Sequence, residues 1–386
     1  MDGVTLVFGI FAALFGLAVG SFVNVVVHRL PEGGWRSLLG RSRCPRCSAD
    51  IAWYDNLPVV AWVLLGARCR RCRTPISARY PVVELSCSLL FLWAWWMQPG
   101  PGYSPALIFI WIALAALLAL SLIDLELTIL PDEITIPGLL FGPLLALIAP
   151  HLLADTWGAR QLAPWIEHER LRALVVSVLG VGTGAASVAL IRAAGTWAYS
   201  SVEILQVPAD ARPRRLDTYL ASAGMKRSSA EVQRLVEDQQ ILWKAPTATN
   251  PVLVRDTAQP IEPGGELRIR NEREAMGFGD VKLQGAIGGC VGPEGSLLAF
   301  AVASVLGALL GIANIARLYV FLVQRRRARQ RPRSHRIERR PTAWSVANAA
   351  GRLIPFGPFL AAGAAIVLLN RREVLSVFAA FSGLHG

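Results

Sequence analysis

Two aspartates stand at the mouths of apolar runs. Asp280 lies in Gly277-Phe278-Gly279-Asp280-Val281-Lys282, a glycine-hinged segment opening onto the run Leu283 to Cys290, and Asp124 ends the run Leu107 to Ile123. An ionisable group at the edge of a membrane segment is expensive to hold there, so a functional role is its default reading. Two carboxylates sharing one site push their pKa values apart, so that one takes a proton from water while the other gives one to a leaving group. Hydrolysis by a paired-aspartate site is the chemistry these positions support. Around them, Gly277, Gly279 and Lys282 belong to the same hinge, and Asp132 follows Pro131, where capping of the next helix is the leading reading. Glu84 falls about one turn inside another apolar run. An ion pair with Arg79 and a place in a site are both open for it. Asn24 is suited either to an interhelical hydrogen bond or to a substrate contact.

A second constellation is Cys44-Pro45-Arg46-Cys47 with Cys69-Arg70-Arg71-Cys72, two CxxC pairs separated by 21 residues. Four thiolates satisfy a tetrahedral zinc ion and leave no open catalytic position, so structural zinc is the leading reading and thiol redox chemistry the alternative. The loop that carries them has little core of its own, and a metal is a means of folding it. Cys87 and Cys290 sit in apolar runs and read as core residues.

The elements that must position these groups are membrane helices. With 386 residues, 53% of them hydrophobic and only 17% charged, the chain is not an ordinary soluble globule. Apolar stretches fall at 4 to 27, 82 to 97, 105 to 123, 134 to 153, 172 to 193, 297 to 323 and 355 to 369, with a shorter one after Asp280. The first lacks a basic n-region and is expected to be a retained helix rather than a signal peptide. Ten arginines lie in residues 29 to 80 and ten more in 324 to 352. The positive-inside rule puts both loops in the cytoplasm, where the second also meets anionic headgroups. About eight spans satisfy that pattern, with both termini outside; seven would divide the two basic loops between opposite faces. The expected fold is an all-α polytopic membrane protein with a cytoplasmic zinc-binding loop domain and a small inserted α+β soluble domain. Its parts are a first transmembrane helix (1–29), the four-cysteine domain (30–80), helices two to five with Asp124 (81–206), the insertion (207–272), and the Asp280 segment with the last helices and basic loop (273–386).

The order of these elements carries a specific resemblance. Gly20 to Pro31, the cysteine tetrad, Asp55-Asn56-Leu57-Pro58, Arg79-Tyr80-Pro81-Val82-Val83-Glu84-Leu85, Ile123-Asp124 with Leu130-Pro131-Asp132, the Gly277 to Lys282 segment and Pro355-Phe356-Gly357-Pro358-Phe359 resemble the series found in bacterial prepilin peptidases, the type IV leader peptidases. That resemblance implies a GxGD aspartic protease of the bacterial inner membrane, with Asp124 and Asp280 as catalytic residues at the cytoplasmic face. Its substrates would be type IV prepilins and the pseudopilins of type II secretion, cut after the glycine that ends a short basic leader. Many members also methylate the new N-terminus with S-adenosylmethionine. Where the family commonly reads Glu-Leu-Leu-Thr-Gly, this chain has Glu84-Leu85-Ser86-Cys87-Ser88, which leaves methylation and that cofactor open.

The insertion reads as helices at Arg215 to Ala221 and Ser229 to Val236, the second capped by Ser228 or Ser229, with strands at Ile241 to Trp243 and Glu266 to Ile269. It resembles in part the small alpha-L RNA-binding module of pseudouridine synthases. Arg212, Arg214, Arg215, Lys226, Arg227 and Arg234 would face phosphate, diluted by Glu231, Glu237, Asp238 and Glu262. A docking or regulatory module is the favoured reading over RNA binding. For the whole chain, a membrane-anchored RNA- or protein-docking factor with a vestigial protease site is the alternative, and a transporter is a third reading that lacks an inverted repeat.

Overall fold

In a computed structural model the first helices are built from the apolar runs themselves. The structure describes residues 3–97, 106–209, 212, 214–222, 228–248, 250–271, 276–329 and 355–370. The basic loop expected at 324 to 352 therefore lies largely outside the described residues, as do Lys226 and Arg227. The chain divides into two compact units, Met1–Val188 with Phe278–Gly386, and Ala189–Gly277.

The first unit is helical: α1 (Gly3–Gly33), α2 (Val60–Leu64), α3 (Arg79–Trp96), α4 (Ala106–Leu127), α5 (Asp132–Ile148), α6 (His151–Ala154), α7 (Trp157–Leu162) and α8 (Glu169–Tyr199), the last continuing into the second unit. The second unit contributes β1 (Ser201–Gln206), β2 (Arg214–Arg215), α9 (Leu216–Ser222), α10 (Ser229–Glu237), β3 (Ile241–Lys244), β4 (Val252–Leu253), β5 (Pro260–Ile261) and β6 (Glu266–Asn271). The chain then returns to the first unit with α11 (Phe278–Arg329) and α12 (Gly357–Leu369). Among the described residues four helices are long and apolar enough to cross a membrane, over Gly3–Leu39, Ala106–Leu127, Glu169–Ala198 and Phe278–Phe321.

Helix α11 is not one rod. Gly292 leaves the helix with φ 83° and ψ 175°. Across it, Gln284 Nε2 donates to the Ser296 carbonyl at 2.7 Å and to Ser296 Oγ at 3.1 Å. An unbroken helix would hold residues twelve apart about 18 Å from each other. The chain therefore reverses at Gly292, a left-handed position that glycine occupies without a Cβ penalty. The result is a short first arm from Phe278 and a long second arm folded back on it. Sequence periodicity sees two apolar stretches here, and the hydrogen bonds show how they are joined.

Small residues let the arms pack closely. Gly180 of α8 and Gly288 of α11 touch backbone to backbone, and a Cβ on either would overlap the other's carbonyl oxygen. Elsewhere on α11, Leu283, Ile287 and Val291 join Leu120 of α4 and Leu360, Ala364 and Val367 of α12 in one buried cluster.

The second unit pairs its four main strands in the order β1-β6-β3-β4, all antiparallel. Its core combines Leu216, Leu220, Val232, Val236, Ile241, Trp243, Leu267 and Ile269. Ser228 caps α10, its hydroxyl accepting the Glu231 N–H at 3.3 Å. Strand β1 lies upstream of residue 207. Its register with β6 runs from Ser201↔Asn271 to Gln206↔Glu266, so the chain enters and leaves this unit side by side.

A branched side chain has no room where α8 and α11 meet. Gly288→Val is expected to lower unfolding stability in micelles by at least about 2 kcal/mol, the scale of an overpacked core. Wild-type stability in that variant would mean that the two helices do not approach at this point.

Candidate active site

Asp124 lies in the last turn of α4, where Thr128 N donates to the Asp124 carbonyl at 2.9 Å before the chain turns towards Pro131. Its side chain is 6% exposed. The carboxylate is held from across the fold: the backbone N–H of Gly357, first residue of α12, donates to Asp124 Oδ2 at 2.8 Å. A Cβ at residue 357 would lie 2.5 Å from that oxygen, so only glycine brings the amide this close. The first turn of a helix offers unpaired N–H groups, and an acidic side chain there satisfies one of them. Gly357 is thus a candidate site residue whose role the sequence alone does not reveal. Its signal was Pro355-Phe356-Gly357-Pro358-Phe359, in which a helix start coincides with a glycine.

Asp280 is the third residue of α11 and is 9% exposed. One side chain joins its turn to that of Asp124. Leu130, in the α4–α5 turn, would meet a Cβ on Gly279 at 2.8 Å with its own Cβ, and its Cδ2 would meet a Cβ on Gly357 at 3.3 Å. The residue before Asp280 and the residue bonded to Asp124 therefore pack on the same leucine. Lys282 forms an ion pair with Asp132 and lies 5.2 Å from the Phe278 ring centroid. Asp132 does not cap α5: Pro131 occupies the N-cap position without a side-chain bond, and Asp132 is drawn to the lysine instead. Gly277 is exposed just before α11.

Glu84 belongs to a different neighbourhood. It is 6% exposed, and its Oε2 accepts the Val59 N–H at 2.7 Å. The pairing with Arg79 allowed by the sequence is not the one observed, since Arg79 forms its ion pair with Glu126, two residues beyond Asp124. Asn24 makes the interhelical bond, donating from Nδ2 to the Tyr80 carbonyl at 3.2 Å.

The four cysteines converge. Cys44, Cys47, Cys69 and Cys72 bring their sulfurs within 4.8 Å of one another, and the Cys44 and Cys72 sulfurs are 3.7 Å apart. Four thiolates about 2.3 Å from a central ion stand about 3.8 Å from each other, so the cluster has the dimensions of a tetrahedral four-sulfur metal site. Each pair sits in the same turn. Cys44 N donates to Ala49 O at 2.9 Å and Cys69 N to Thr74 O at 2.8 Å, and the Ser48 and Arg73 amides return to Cys44 O and Cys69 O. Ser48 and Arg73, each directly after its second cysteine, take φ of 53° and 56°. This repeated left-handed step, made by non-glycine residues, had no signature in the sequence. The side-chain hydrogen bond with Thr74, joined by that residue's backbone amide, pulls the Cys72 thiol down to about 6. Against the lowering effect of the Ala49 amide, desolvation and the neighbouring Cys44 and Cys72 sulfurs push the Cys47 thiol up to about 11, since clustered thiols resist ionising together.

Chemically, the arrangement offers two nearly buried carboxylates from separate helices, one of them fixed by a backbone amide, and a closed four-sulfur cluster remote in sequence. Comparison with known proteins finds two family models on this chain, one over the cysteine cluster and one over Asp280. The bacterial peptidase A24 N-terminal domain model matches residues 14–98, and the type IV leader peptidase family model matches residues 266–312. The prepilin leader peptidase/N-methyltransferase of Myxococcus xanthus is 46% identical over 142 residues, covering 36% of this chain and 40% of that protein. That of Aeromonas hydrophila is 41% identical over 156 residues, covering 34% and 52%. The chain thus spans about half the length, or less, of these two relatives. No solved structure matches it. The relative from Stutzerimonas stutzeri is 34% identical over 230 residues, 52% of this chain and 77% of its own length, and on that coverage the chain belongs to the family of bacterial prepilin leader peptidases.

Proposed function

We propose that this chain is a membrane aspartic endopeptidase that removes the short basic leader from type IV prepilins and pilin-like secretion pseudopilins. The observation that carries the reading is the meeting of the Asp124 and Asp280 turns on Leu130. One carboxylate takes a proton from a water molecule, whose oxygen attacks the peptide carbonyl. The other protonates the departing amine, and the pair returns to its starting state over the cycle. Gly357 N–H fixes the Asp124 carboxylate, and the Lys282–Asp132 pair braces the first turn of α11 against the start of α5. Both aspartates sit at helix ends, so that on this reading the site lies at the membrane surface while an apolar substrate helix remains in lipid.

The proposed topology counts α1, α3, α4, α5, α8, the two arms of α11 and α12 as membrane segments of a bacterial inner-membrane protein. Both basic loops and the aspartates then face the cytoplasm. Zinc fits the Cys44, Cys47, Cys69 and Cys72 cluster. With four protein ligands it supplies folding energy to the loop and no reactive position.

Co-expression with a prepilin tests the reading by mass spectrometry of the pilin. Cleavage after the leader's terminal glycine is expected from the wild type. Asp124→Asn and Asp280→Asn should each slow it by about 10²–10⁴-fold or more at normal membrane abundance; full activity in either refutes the assignment. The relatives are named as N-methyltransferases as well, and the same spectrum reads that second activity as one added methyl group.

Gly357→Ala should displace the Asp124 carboxylate. We expect a fall in kcat approaching 10²-fold with little change in KM, as a misplaced catalytic group produces. An equal effect on KM alone would show that residue 357 serves binding instead. For the metal, elemental analysis should find about one zinc per chain, and Cys72→Ser should reduce it. Unchanged zinc content would rule out the four-cysteine site.

A further inference from the structure

The loop that carries the cysteines also carries an apolar finger that neither the metal nor the proposed chemistry uses. Between the two knuckles the chain reads Leu57-Pro58-Val59-Val60-Ala61-Trp62-Val63-Leu64-Leu65, without a charged or small polar side chain. One side of its helical turn, α2, packs on the loop: Ala61 is buried, and Trp62 Nε1 donates to the Ile76 carbonyl at 3.1 Å. The other side is bare, with Val60 51%, Val63 62% and Leu64 80% exposed.

The depth of this finger is set by one hydrogen bond. Val59 N–H donates to Glu84 Oε2 on α3 at 2.7 Å. Glu84 is level with Gly20 of α1, because a Cβ on Gly20 would lie 2.7 Å from the Glu84 Cα. Gly20 stands seven residues before the end of the apolar run 4 to 27, about 10 Å along the helix axis. Val59 is thus tied, within the length of one glutamate side chain, to the level of an apolar membrane segment. The tie is made against backbone preference, since Val59 has φ 60°, a region that β-branched residues avoid.

The surroundings match the same level. Leu65 N donates to Ala61 O at 2.9 Å, Val63 N to Val59 O at 3.1 Å and Ala67 N to Trp62 O at 2.8 Å, so the finger has few backbone groups left to hydrate. That is the condition for placing a backbone against lipid. Beside it, Trp53 is 78% exposed, and Arg70 sits 5.6 Å over the Tyr54 ring while paired with Asp55. Exposed tryptophan and tyrosine with arginine are the side chains of a membrane–water interface.

We infer that Leu57–Leu65 is a re-entrant finger inserted into the phospholipid bilayer beside α1 and α3. Val60, Val63 and Leu64 lie against acyl chains, and the flanking aromatic and arginine side chains meet the headgroups. Glu84 is the latch that holds the finger at this depth.

Spin labelling of the full chain with its metal bound tests the inference. Leu64→Cys and, as an exposed control in the second unit, Asp256→Cys are labelled in vesicles of phosphatidylethanolamine and phosphatidylglycerol, with the wild type as the blank for native thiols. At residue 64, collision with oxygen should exceed collision with a water-soluble nickel chelate, and at residue 256 the order should reverse. Glu84→Leu should shift residue 64 towards the chelate. Val60→Cys gives the same reading if Leu64→Cys fails to accumulate. Chelate access at 64 equal to that at 256 overturns the inference, and so does shielding from both reagents, which would place a protein surface there instead of lipid.

Discussion

The Gly357 N–H bond to Asp124 is the contact on which the candidate site depends. Residues 124 and 357 belong to different helices, far apart in sequence, and 2.8 Å separates the donor from the carboxylate oxygen. Burying a carboxylate at a helix end without a partner is costly, and a helix start supplies a partner in the unpaired amides of its first turn. The glycine is required because a Cβ would occupy the oxygen's place. Leu130 then fills the angle between this contact and Gly279, so α4, α11 and α12 share one junction. The neighbouring cluster, with Leu120, Leu283 and Leu360, is apolar and buried against the same three helices.

Much of this was legible in the residue order. Asp124 and Asp280 stood out because charge at the edge of an apolar run needs a reason, and the cysteine spacing implied a cluster that the structure assembles. What escaped were contacts between residues distant in sequence. Asp132 reads as a cap by position, yet a lysine 150 residues on outcompetes the helix end for it. Arg79 reads as the partner of a nearby glutamate, yet it pairs with Glu126, and Glu84 takes a backbone amide from the loop instead. The reversal at Gly292 was hidden because glycine is common among these helices, and the Gly292 backbone angles with the Gln284–Ser296 bond reveal the fold-back. Helices α9 and α10 and strands β3 and β6 of the second unit were visible in their periodicity, while β2, β4 and β5 are two residues each and too short to show one, and β1 was masked by the helix that runs into it.

The two units divide the labour that the sequence mixes. The first gathers both aspartates, the cysteine cluster and the glycine-packed helices, although the second interrupts it between Asp124 and Asp280. Pairing of β1 with β6 explains how such an interruption is tolerated, because it brings the unit's entrance and exit together. On the proposed reading, the chemistry belongs wholly to the first unit.

That reading stands or falls on whether Asp124 and Asp280 act as one device. Residues that act as a unit show losses that do not add. The direct measurement is leader cleavage by Asp124→Asn, Asp280→Asn and the double variant, compared at equal membrane abundance. The account predicts that the double variant is no slower than the worse single variant. Multiplication of the two single losses would contradict it, because each aspartate would then be acting alone.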